Sequence, residues 1–225
     1  MTEKMLTFKT DPERRLLLIV VFAALALGWT TMATAGQLPA TGQTTCWDSA
    51  GDVIPCAGTG QDGEIQAGAK LRYKDNGDGT IKDKNTKLTW EKLSADGSIH
   101  DASNAYSWAD AFAVHVTGLN TANFAGHNDW RLPNVKELQS IVNYQMFAPS
   151  VSSAFNNNCV AGATVLTGSC TVGNGYWSST TYTYAPMGAW FINFIDGGVD
   201  VGTKSSFFIQ VRAVRGGLTD EAEDR

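Results

Sequence analysis

The carboxylates best placed to bind a metal ion lie in the stretch Asp75-Asn76-Gly77-Asp78-Gly79 and at Asp83. Calcium prefers oxygen ligands of this kind, so Asp75, Asp78 and Asp83 are candidate calcium ligands. An EF-hand loop starting at Asp75 would need a bidentate glutamate where the chain has Thr86. Asp and Gly are also the residues that tight turns prefer. The pattern therefore predicts a turn without a cofactor, and calcium binding is the alternative.

The histidines are the other residues that could hold a metal or move a proton. His100, His115 and His127 are spaced by fifteen and twelve residues, which suits no single helical face. The chain also contains no nucleophile elbow, no His-Glu-x-x-His motif and no phosphate-binding glycine loop. We therefore predict that the protein is not an enzyme.

Aromatic residues form the stronger candidate for binding. Tyr182 and Tyr184 lie in a segment rich in Thr, Tyr, Pro and Gly, and we expect them to be exposed because loops carry most binding residues. Trp190 and the loop around Asp196 complete the candidate surface, which would suit a sugar or a partner protein. Large aromatic residues also dominate cores, so burial is favoured over exposure for Trp190 and for Trp177.

The four cysteines, Cys46, Cys56, Cys159 and Cys170, all follow the N-terminal apolar segment. An even count in an exported protein indicates disulfides, and three pairings are open. We favour the local pairing, Cys46 with Cys56 and Cys159 with Cys170, because each pair brackets a loop rich in Gly, Ala and Thr. A metal or redox site is the alternative, but neither a Cys-x-x-Cys spacing nor a neighbouring histidine supports it.

The N-terminal segment predicts export. A basic region, a twelve-residue apolar run at residues 16–27 and Ala33-Thr34-Ala35 follow one another in the order of a secretory signal peptide. The apolar run is shorter than the roughly 20 residues that cross a membrane. Residues 1–35 are therefore predicted to be a cleaved signal peptide. The mature form would have no membrane span and would lie in the periplasm, outside the cell or on its surface.

The net charge limits the class of partner. The chain has 17 Lys and Arg against 22 Asp and Glu, a net charge of −5. Residues 1–35 hold four basic and three acidic residues, so their removal changes the charge to −6. Nonspecific nucleic-acid binding needs Lys and Arg to neutralise phosphates. We therefore expect no nucleic-acid partner.

Composition divides the mature chain into three parts. Residues 36–69 are rich in Gly and Thr and lack periodicity, which indicates an N-terminal arm tied by the first cysteine pair. Residues 70–217 carry the periodic segments of a domain, in which residues 80–82 and 88–90 predict a β-hairpin. Residues 218–225 are predicted to be an acidic, flexible tail.

A first helix is predicted after Ser107. Ser107 and Asp110 have the spacing of a capping box, an apolar face follows at helical spacing, and Gly118 is a plausible stop. His115 lies on that apolar face. We interpret it as a core histidine whose ring nitrogens are hydrogen-bonded.

A second helix is predicted after Pro133. Asn134 is its N-cap, and Glu137 completes a capping box. Arg131 stands just before this helix. It either pairs with a buried carboxylate and fixes the helix to the sheet, or lies in solvent above its own apolar stem, and the sequence favours neither.

The remainder of the domain predicts strands. One begins at Tyr176, another covers residues 189–194, and Asp196-Gly197-Gly198 is the turn of a hairpin. Val199 and Val201 alternate with polar residues on the return strand. Residues 207–214 predict the last strand.

Two of these stretches resemble a known family. They are Asp-Trp-Arg-Leu-Pro-Asn-Val-Lys-Glu-Leu at residues 129–138, and Tyr-Trp-Ser-Ser-Thr at residues 176–180, which opens a run ending in Val-Arg-Ala-Val-Arg at residues 211–215. Over about residues 70–216 the chain resembles the domain known as DUF1566, or the Legionella collagen-like protein (Lcl) C-terminal domain. The residues that carry the likeness are Trp130, Arg131, Pro133, Asn134, Glu137 and Trp177.

The resemblance implies an α+β fold of the C-type lectin-like kind, with two helices packed on antiparallel β-sheets, long loops and disulfide staples. The chain departs from the calcium-dependent lectins of that fold, because it lacks Glu-Pro-Asn, Gln-Pro-Asp and Trp-Asn-Asp. The similar sulfatase-modifying (formylglycine-generating) enzymes need a reactive cysteine pair, whereas the cysteines here look like staples.

The resemblance names no ligand, because one fold hosts many functions. We predict an exported or cell-surface, non-catalytic recognition module of the adhesin type, which binds an extracellular glycan or a protein partner. One alternative is a structural subunit of a surface assembly, which would form a homo-oligomer through an exposed strand edge. An enzyme related to the sulfatase-modifying fold is the least favoured reading.

Overall fold

The computed structural model describes residues 38–217. The predicted signal peptide and the predicted acidic tail lie outside the described residues. In the described part, none of the helices has the length and apolar character needed to cross a membrane.

Within residues 38–217 the chain forms nine strands in three antiparallel sheets. The arm contributes a two-stranded sheet of β1 (Cys46–Trp47) and β2 (Val53–Ile54). The second sheet has the order β3-β4-β5-β9, with β3 (Tyr73–Asp75), β4 (Thr80–Asp83), β5 (Leu88–Glu91) and β9 (Val214–Gly216). The third sheet has the order β6-β7-β8, with β6 (Gly175–Thr181), β7 (Gly188–Asn193) and β8 (Gly198–Thr203).

The helices of the described residues are few and short. They are α1 (Asp62–Ile65), α2 (Trp108–Asp110), α3 (Thr117–Thr121) and α4 (Val135–Gln139), with 3-10 turns at Phe124–Gly126 and Ser153–Phe155. A π-helical segment, Ala111–Val116, joins α2 to α3, and we call residues 108–121 the composite helix. The mixed helix-and-sheet class is therefore confirmed.

The predicted hairpin is confirmed as β4 and β5, which pair from Thr80 opposite Glu91. Its preceding turn places Gly79 at a φ of +91°. A side chain there would collide with Phe124 and Val165, because an added Cβ would lie 2.9 to 3.0 Å from their atoms. Glycine at this position therefore serves both the turn and the packing of the loop above it.

The composite helix begins as predicted but ends later. The Ser107 hydroxyl accepts the Asp110 backbone N–H, whereas the Asp110 carboxylate bonds to the Ser107 hydroxyl and not to its backbone, so the capping box is only half formed. The prediction that Gly118 ends the helix is wrong, since α3 continues to Thr121. Gly118 instead gives room to Ile99, whose Cδ1 would lie 2.4 Å from an added Cβ.

The second helix is confirmed with its cap. The Asn134 side chain accepts the backbone N–H groups of Lys136 and Glu137, and the Glu137 carboxylate accepts the Asn134 backbone N–H. Both halves of the capping box are thus present. Leu138 on this helix is fully buried.

One prediction about the C-terminal strands is wrong. Residues 207–213 are not a regular strand, because this segment crosses from one sheet to the other: Gln210 bridges to Tyr176, and only Val214–Gly216 pairs with β5. The predicted return strand with Val199 and Val201 is confirmed as β8. Val199 is 42% exposed, because β8 is an edge strand, while Gly202 is buried against Trp177.

Two apolar clusters form most of the core. The first lies between the β3-β4-β5-β9 sheet, α4 and one face of the third sheet, and it contains Leu88, Trp90, Leu138, Phe155, Cys170, Tyr176, Ile192 and Phe194. The second lies between the other face of the third sheet and the composite helix, and it contains Ala111, Val116, Leu132, Trp177, Ala189, Phe191, Ile209 and Val211. The third sheet is therefore covered on both faces over most of its area.

Both predicted disulfides are confirmed, Cys46 with Cys56 and Cys159 with Cys170. Their sequence separations are 10 and 11 residues, so each closes a short loop. Cys170 belongs to the first apolar cluster, and its backbone N–H donates to the Leu93 carbonyl. The second disulfide therefore fixes a surface loop directly to the core.

We expect Cys159→Ser with Cys170→Ser to lower the free energy of unfolding by about 3 kcal/mol, since a cross-link of this loop length restricts the unfolded chain. Urea unfolding of the oxidised protein measures this. Cys46→Ser with Cys56→Ser is the comparison: its loop is nearly as long, so loop closure predicts a similar loss, but Cys46 belongs to none of the apolar clusters, and any larger loss in the first double variant measures the attachment to the core. Equal losses in the two double variants would show that core attachment adds nothing.

Candidate functional site

The third sheet presents a group of aromatic side chains at the end where β6 turns into β7. The rings of Tyr182 and Trp190 lie 5.2 Å apart between centroids, at 81°, and those of Tyr182 and Tyr184 lie 6.0 Å apart. Edge-to-face contacts at these distances are favourable. We call Tyr182, Tyr184 and Trp190 the aromatic corner.

Strand alternation places the corner on an uncovered part of the sheet. On β7, Ala189 and Phe191 are buried in the second apolar cluster, so Trp190 between them points to the opposite face. Trp190 pairs with Val201 on the edge strand β8. It is half-buried, whereas Trp177 is fully buried. The expectation of burial is therefore confirmed for Trp177 and met only in part for Trp190.

The corner keeps unused polar groups. Trp108, Trp130 and Trp177 each donate their indole N–H to a backbone carbonyl at 2.9 to 3.1 Å. Among residues 38–217, no such partner meets the Trp190 indole N–H or the hydroxyls of Tyr182 and Tyr184. Tyr184 is 88% exposed, as expected, and Tyr182 is half-buried. The corner can therefore offer apolar ring faces and hydrogen-bonding groups together.

The backbone that carries the corner is well tied. The β6–β7 pairing shifts register between Trp177 and Thr181, and the Tyr182 backbone N–H then donates to the Gly188 carbonyl. Lys204 lies beside this turn, with its Nζ 4.1 Å above the Trp108 ring and donating to Thr181 Oγ1 at 2.9 Å. One fixed ammonium group thus stands at the same end of the sheet as the corner.

Asp196 is not brought to the corner. It lies in the turn that follows β7, where its carboxylate accepts the Gly198 backbone N–H at 2.9 Å. Asp196 follows Trp190 by six residues, three of them in the extended strand β7, and the turn therefore lies beyond the far end of that strand. Asp196 therefore serves the hairpin turn, and the two halves of the predicted surface lie at opposite ends of one strand.

The three candidate calcium ligands have separate partners. Asp75 pairs with Lys92 at 2.7 Å, Asp78 accepts the hydroxyl and N–H of Thr80, and Asp83 accepts the Thr86 hydroxyl. Asp83 is buried, whereas Asp75 and Asp78 are exposed. No group of three or more His, Cys, Asp or Glu side chains that could hold a metal occurs within residues 38–217.

The residues of the first motif stabilise the fold. Trp130 is buried and donates to the Phe124 carbonyl. Arg131 makes a two-pronged ion pair with Glu137 at 2.6 and 2.7 Å and also donates to the Gly216 carbonyl. It therefore joins α4 to β9, although its guanidinium stays partly exposed. Burial raises the pKa of Glu137, but the hydrogen bonds from Arg131 and Asn134 outweigh this and lower it overall.

The second motif meets the first directly. The Pro133 carbonyl accepts the Ser179 backbone N–H, and Arg131 exchanges backbone hydrogen bonds with Val214. Residues 79–215 match the model of the Lcl C-terminal domain, over more than half of the 225 residues. The chain belongs to the Lcl C-terminal domain family. No curated protein matches it.

The Lcl C-terminal domain of this chain also contains a buried polar cluster that we did not predict from its sequence. Glu91 on β5 is fully buried. Its carboxylate is hydrogen-bonded to His100 Nδ1 at 2.7 Å and to His115 Nε2 at 2.8 Å, and it accepts a hydrogen bond from the Ala213 backbone N–H at 2.9 Å. The other ring nitrogen of His115 faces the Tyr106 hydroxyl at 3.4 Å. The prediction of a hydrogen-bonded core histidine is confirmed for His115.

Arg212 completes this cluster from the opposite side. It donates to the Glu91 carbonyl at 2.8 Å, the Cys170 carbonyl at 2.7 Å and the Thr171 hydroxyl at 2.7 Å. Burial lowers the pKa of Arg212, and Tyr176 and Glu91 act against that change. Burial likewise raises the pKa of Glu91, but His115 and His100 outweigh it and lower the pKa to about 2. Glu91 is therefore an ionised, buried carboxylate.

The polar cluster of the Lcl C-terminal domain has the residue types of a catalytic site, but among its Glu, His and Arg side chains only His100 is partly exposed. Glu91, His115 and Arg212 are each 1% exposed or less. A general base must come within hydrogen-bonding reach of a substrate. These side chains instead bond to one another and to the backbone, so the cluster joins β5, the composite helix and the segment before β9.

Proposed function

We propose that this Lcl C-terminal domain is an exported, non-catalytic recognition module whose aromatic corner binds a glycan. The observation that carries the proposal is the group formed by the exposed ring of Tyr184 and the partly exposed rings of Tyr182 and Trp190, together with their unused hydrogen-bonding groups. A sugar ring has an apolar face that stacks on aromatic rings and hydroxyls that need partners, so it fits this combination. A C-type lectin-like fold would be in keeping with such a role.

Export is supported by the two disulfides, because such bonds persist mainly in oxidising compartments. Periplasm, cell surface and medium are all compatible with them. We propose that binding needs no calcium, since Asp75, Asp78 and Asp83 each bond to a different side chain of the same protein.

The test is a screen of the exported protein, with its disulfides formed, against a broad panel of neutral and acidic glycans, with calcium and with a chelator. We expect binding that survives the chelator. Loss on chelation would overturn the calcium-free mechanism. Binding to none of the glycans would overturn the sugar ligand and leave a protein partner as the better assignment.

We expect Trp190→Ala to weaken glycan binding at least about tenfold, because a central aromatic residue of an interface is commonly worth 2 kcal/mol or more. Isothermal titration against the best glycan measures this. Phe147→Ala is the matched control, since Phe147 is 75% exposed and lies outside the corner. Unchanged affinity in Trp190→Ala, or equal loss in both variants, would contradict the assignment of the site.

A further inference from the structure

Strand β8 leaves one edge of the third sheet open. The sheet ends at β8, and the Lys204 backbone N–H donates to the carbonyl of Met187, the residue just before β7. Alternate residues of an antiparallel strand point their backbone groups to opposite sides. The N–H and C=O groups of Val199, Val201 and Thr203 therefore face away from β7.

These outward groups are poorly used. The Val201 N–H bonds to the Asp200 carboxylate of its own strand at 2.7 Å, and the Thr203 carbonyl accepts the Ser206 and Phe207 N–H groups of the following turn. Among residues 38–217, no other backbone partner meets the Val199 and Val201 groups. Proteins usually blunt such an edge with proline, lysine or a covering segment. β8 has neither proline nor lysine.

We propose that β8 pairs antiparallel with β8 of a second copy of this chain, about a two-fold axis at Gly202. In this register Val201 of each copy faces Thr203 of the other, so the outward backbone groups of both residues bond across the axis. Two three-stranded sheets become one six-stranded sheet.

Charge complementarity selects this register. It sets Asp200 of each copy directly opposite Lys204 of the other, on the same face of the sheet. On pairing, the Val201 N–H leaves the Asp200 carboxylate and donates to a backbone carbonyl of the second copy. The Asp200 carboxylate then pairs with the Lys204 ammonium group of that copy. Lys204 has three donors and uses one on Thr181. Moving the two-fold axis by two residues, from Gly202 to Asp200, would set the two Asp200 carboxylates against each other.

Apolar contact supports the same axis. Phe207 packs over Gly202, where an added Cβ would lie 2.9 Å from its ring, and Phe207 is still 43% exposed. With Gly202 opposite Gly202, the two Phe207 rings would meet above the axis. The pairing thus removes both unpaired backbone groups and exposed aromatic surface from water.

Sedimentation of the exported protein over about a hundredfold range of concentration tests the proposal. We expect a species of twice the chain mass at high concentration. Asp200→Lys and Lys204→Asp should each weaken association about tenfold or more, and the charge-swapped double variant should restore it. Asp52→Lys, which changes an exposed carboxylate of the β1–β2 turn by the same charge, is the matched control and should associate normally.

Restoration by the charge swap is decisive, because residues 200 and 204 are four residues apart on an extended strand and cannot meet within one copy. A single-chain mass at every concentration, or a double variant as weak as the single ones, would overturn the proposal. Circular dichroism of each variant separates lost association from lost folding. If a monomeric variant still binds glycan, the proposed recognition function does not depend on the proposed dimer.

Discussion

Arg212→Met should lower the free energy of unfolding by about 3 to 5 kcal/mol, as expected when one member of a buried polar network is removed. Arg212 is 1% exposed and gives its donors to the carbonyls of Glu91 and Cys170 and to the Thr171 hydroxyl. Methionine fills similar volume but donates nothing, so three buried acceptors lose their partner.

Urea unfolding at pH 7 measures the effect, with Arg215→Met as the matched control. Arg215 is three residues further along and pairs with Asp129 at 2.7 Å, but this pair lies at the surface. Exposed ion pairs contribute about 0 to 1 kcal/mol, so the control should lose little. Similar losses in the two variants would show that the buried hydrogen bonds of Arg212 are not needed.

Local signals in the sequence were sufficient for the parts of the fold that form locally. The cap of α4 needs only Asn134 and Glu137 three residues apart, and the disulfides close loops of 10 and 11 residues. The β4–β5 hairpin follows from a turn and two short strands. Each of these depends on residues that are neighbours in the chain, and each was predicted correctly.

The features that failed depend on distant segments. Gly118 could be known to continue the helix only from Ile99 packed against it, and residues 207–213 lose strand pairing because they cross between sheets. All four residues of β5 are buried, so no alternation marked Glu91 as a core residue. Only His115, on a helical apolar face, signalled that a buried polar partner was needed.

The candidate site shows the same division. The exposure of Tyr184 was predicted from its turn-rich segment. Trp177 and Trp190 have similar neighbours in the sequence, but Trp177 is fully buried and Trp190 is half-buried. The composite helix covers Trp177, whereas Trp190 faces a part of the sheet next to an open edge. Asp196 was grouped with the corner because it is close in sequence, and the extended β7 strand separates them.

Glu91→Gln should lower stability at neutral pH by roughly 2 to 4 kcal/mol and flatten its dependence on acid, because it keeps the shape of the side chain but removes the charge. The folded-state pKa of Glu91 is lowered to about 2 from an ordinary 4.5, since His115 and His100 outweigh the effect of burial. A carboxyl group with a lowered folded pKa stabilises the protein above its unfolded pKa. That contribution is lost as the pH falls from about 4.5 towards about 2.

The lowered pKa of Glu91 also sets how much of the free energy of unfolding is lost in acid, and this loss is roughly 3 kcal/mol. Unfolding free energies of the wild type and of Glu91→Gln, measured between pH 7 and pH 2, should therefore converge as the pH falls. Asp52→Asn, which removes an exposed carboxylate from the β1–β2 turn, is the control and should follow the wild type. Curves for Glu91→Gln and wild type that stay parallel would mean that Glu91 releases no proton on folding. The Glu91 carboxyl would then have the same pKa in the folded and unfolded states, and Glu91 would stabilise the contact between β5 and the composite helix by an amount that does not change with pH.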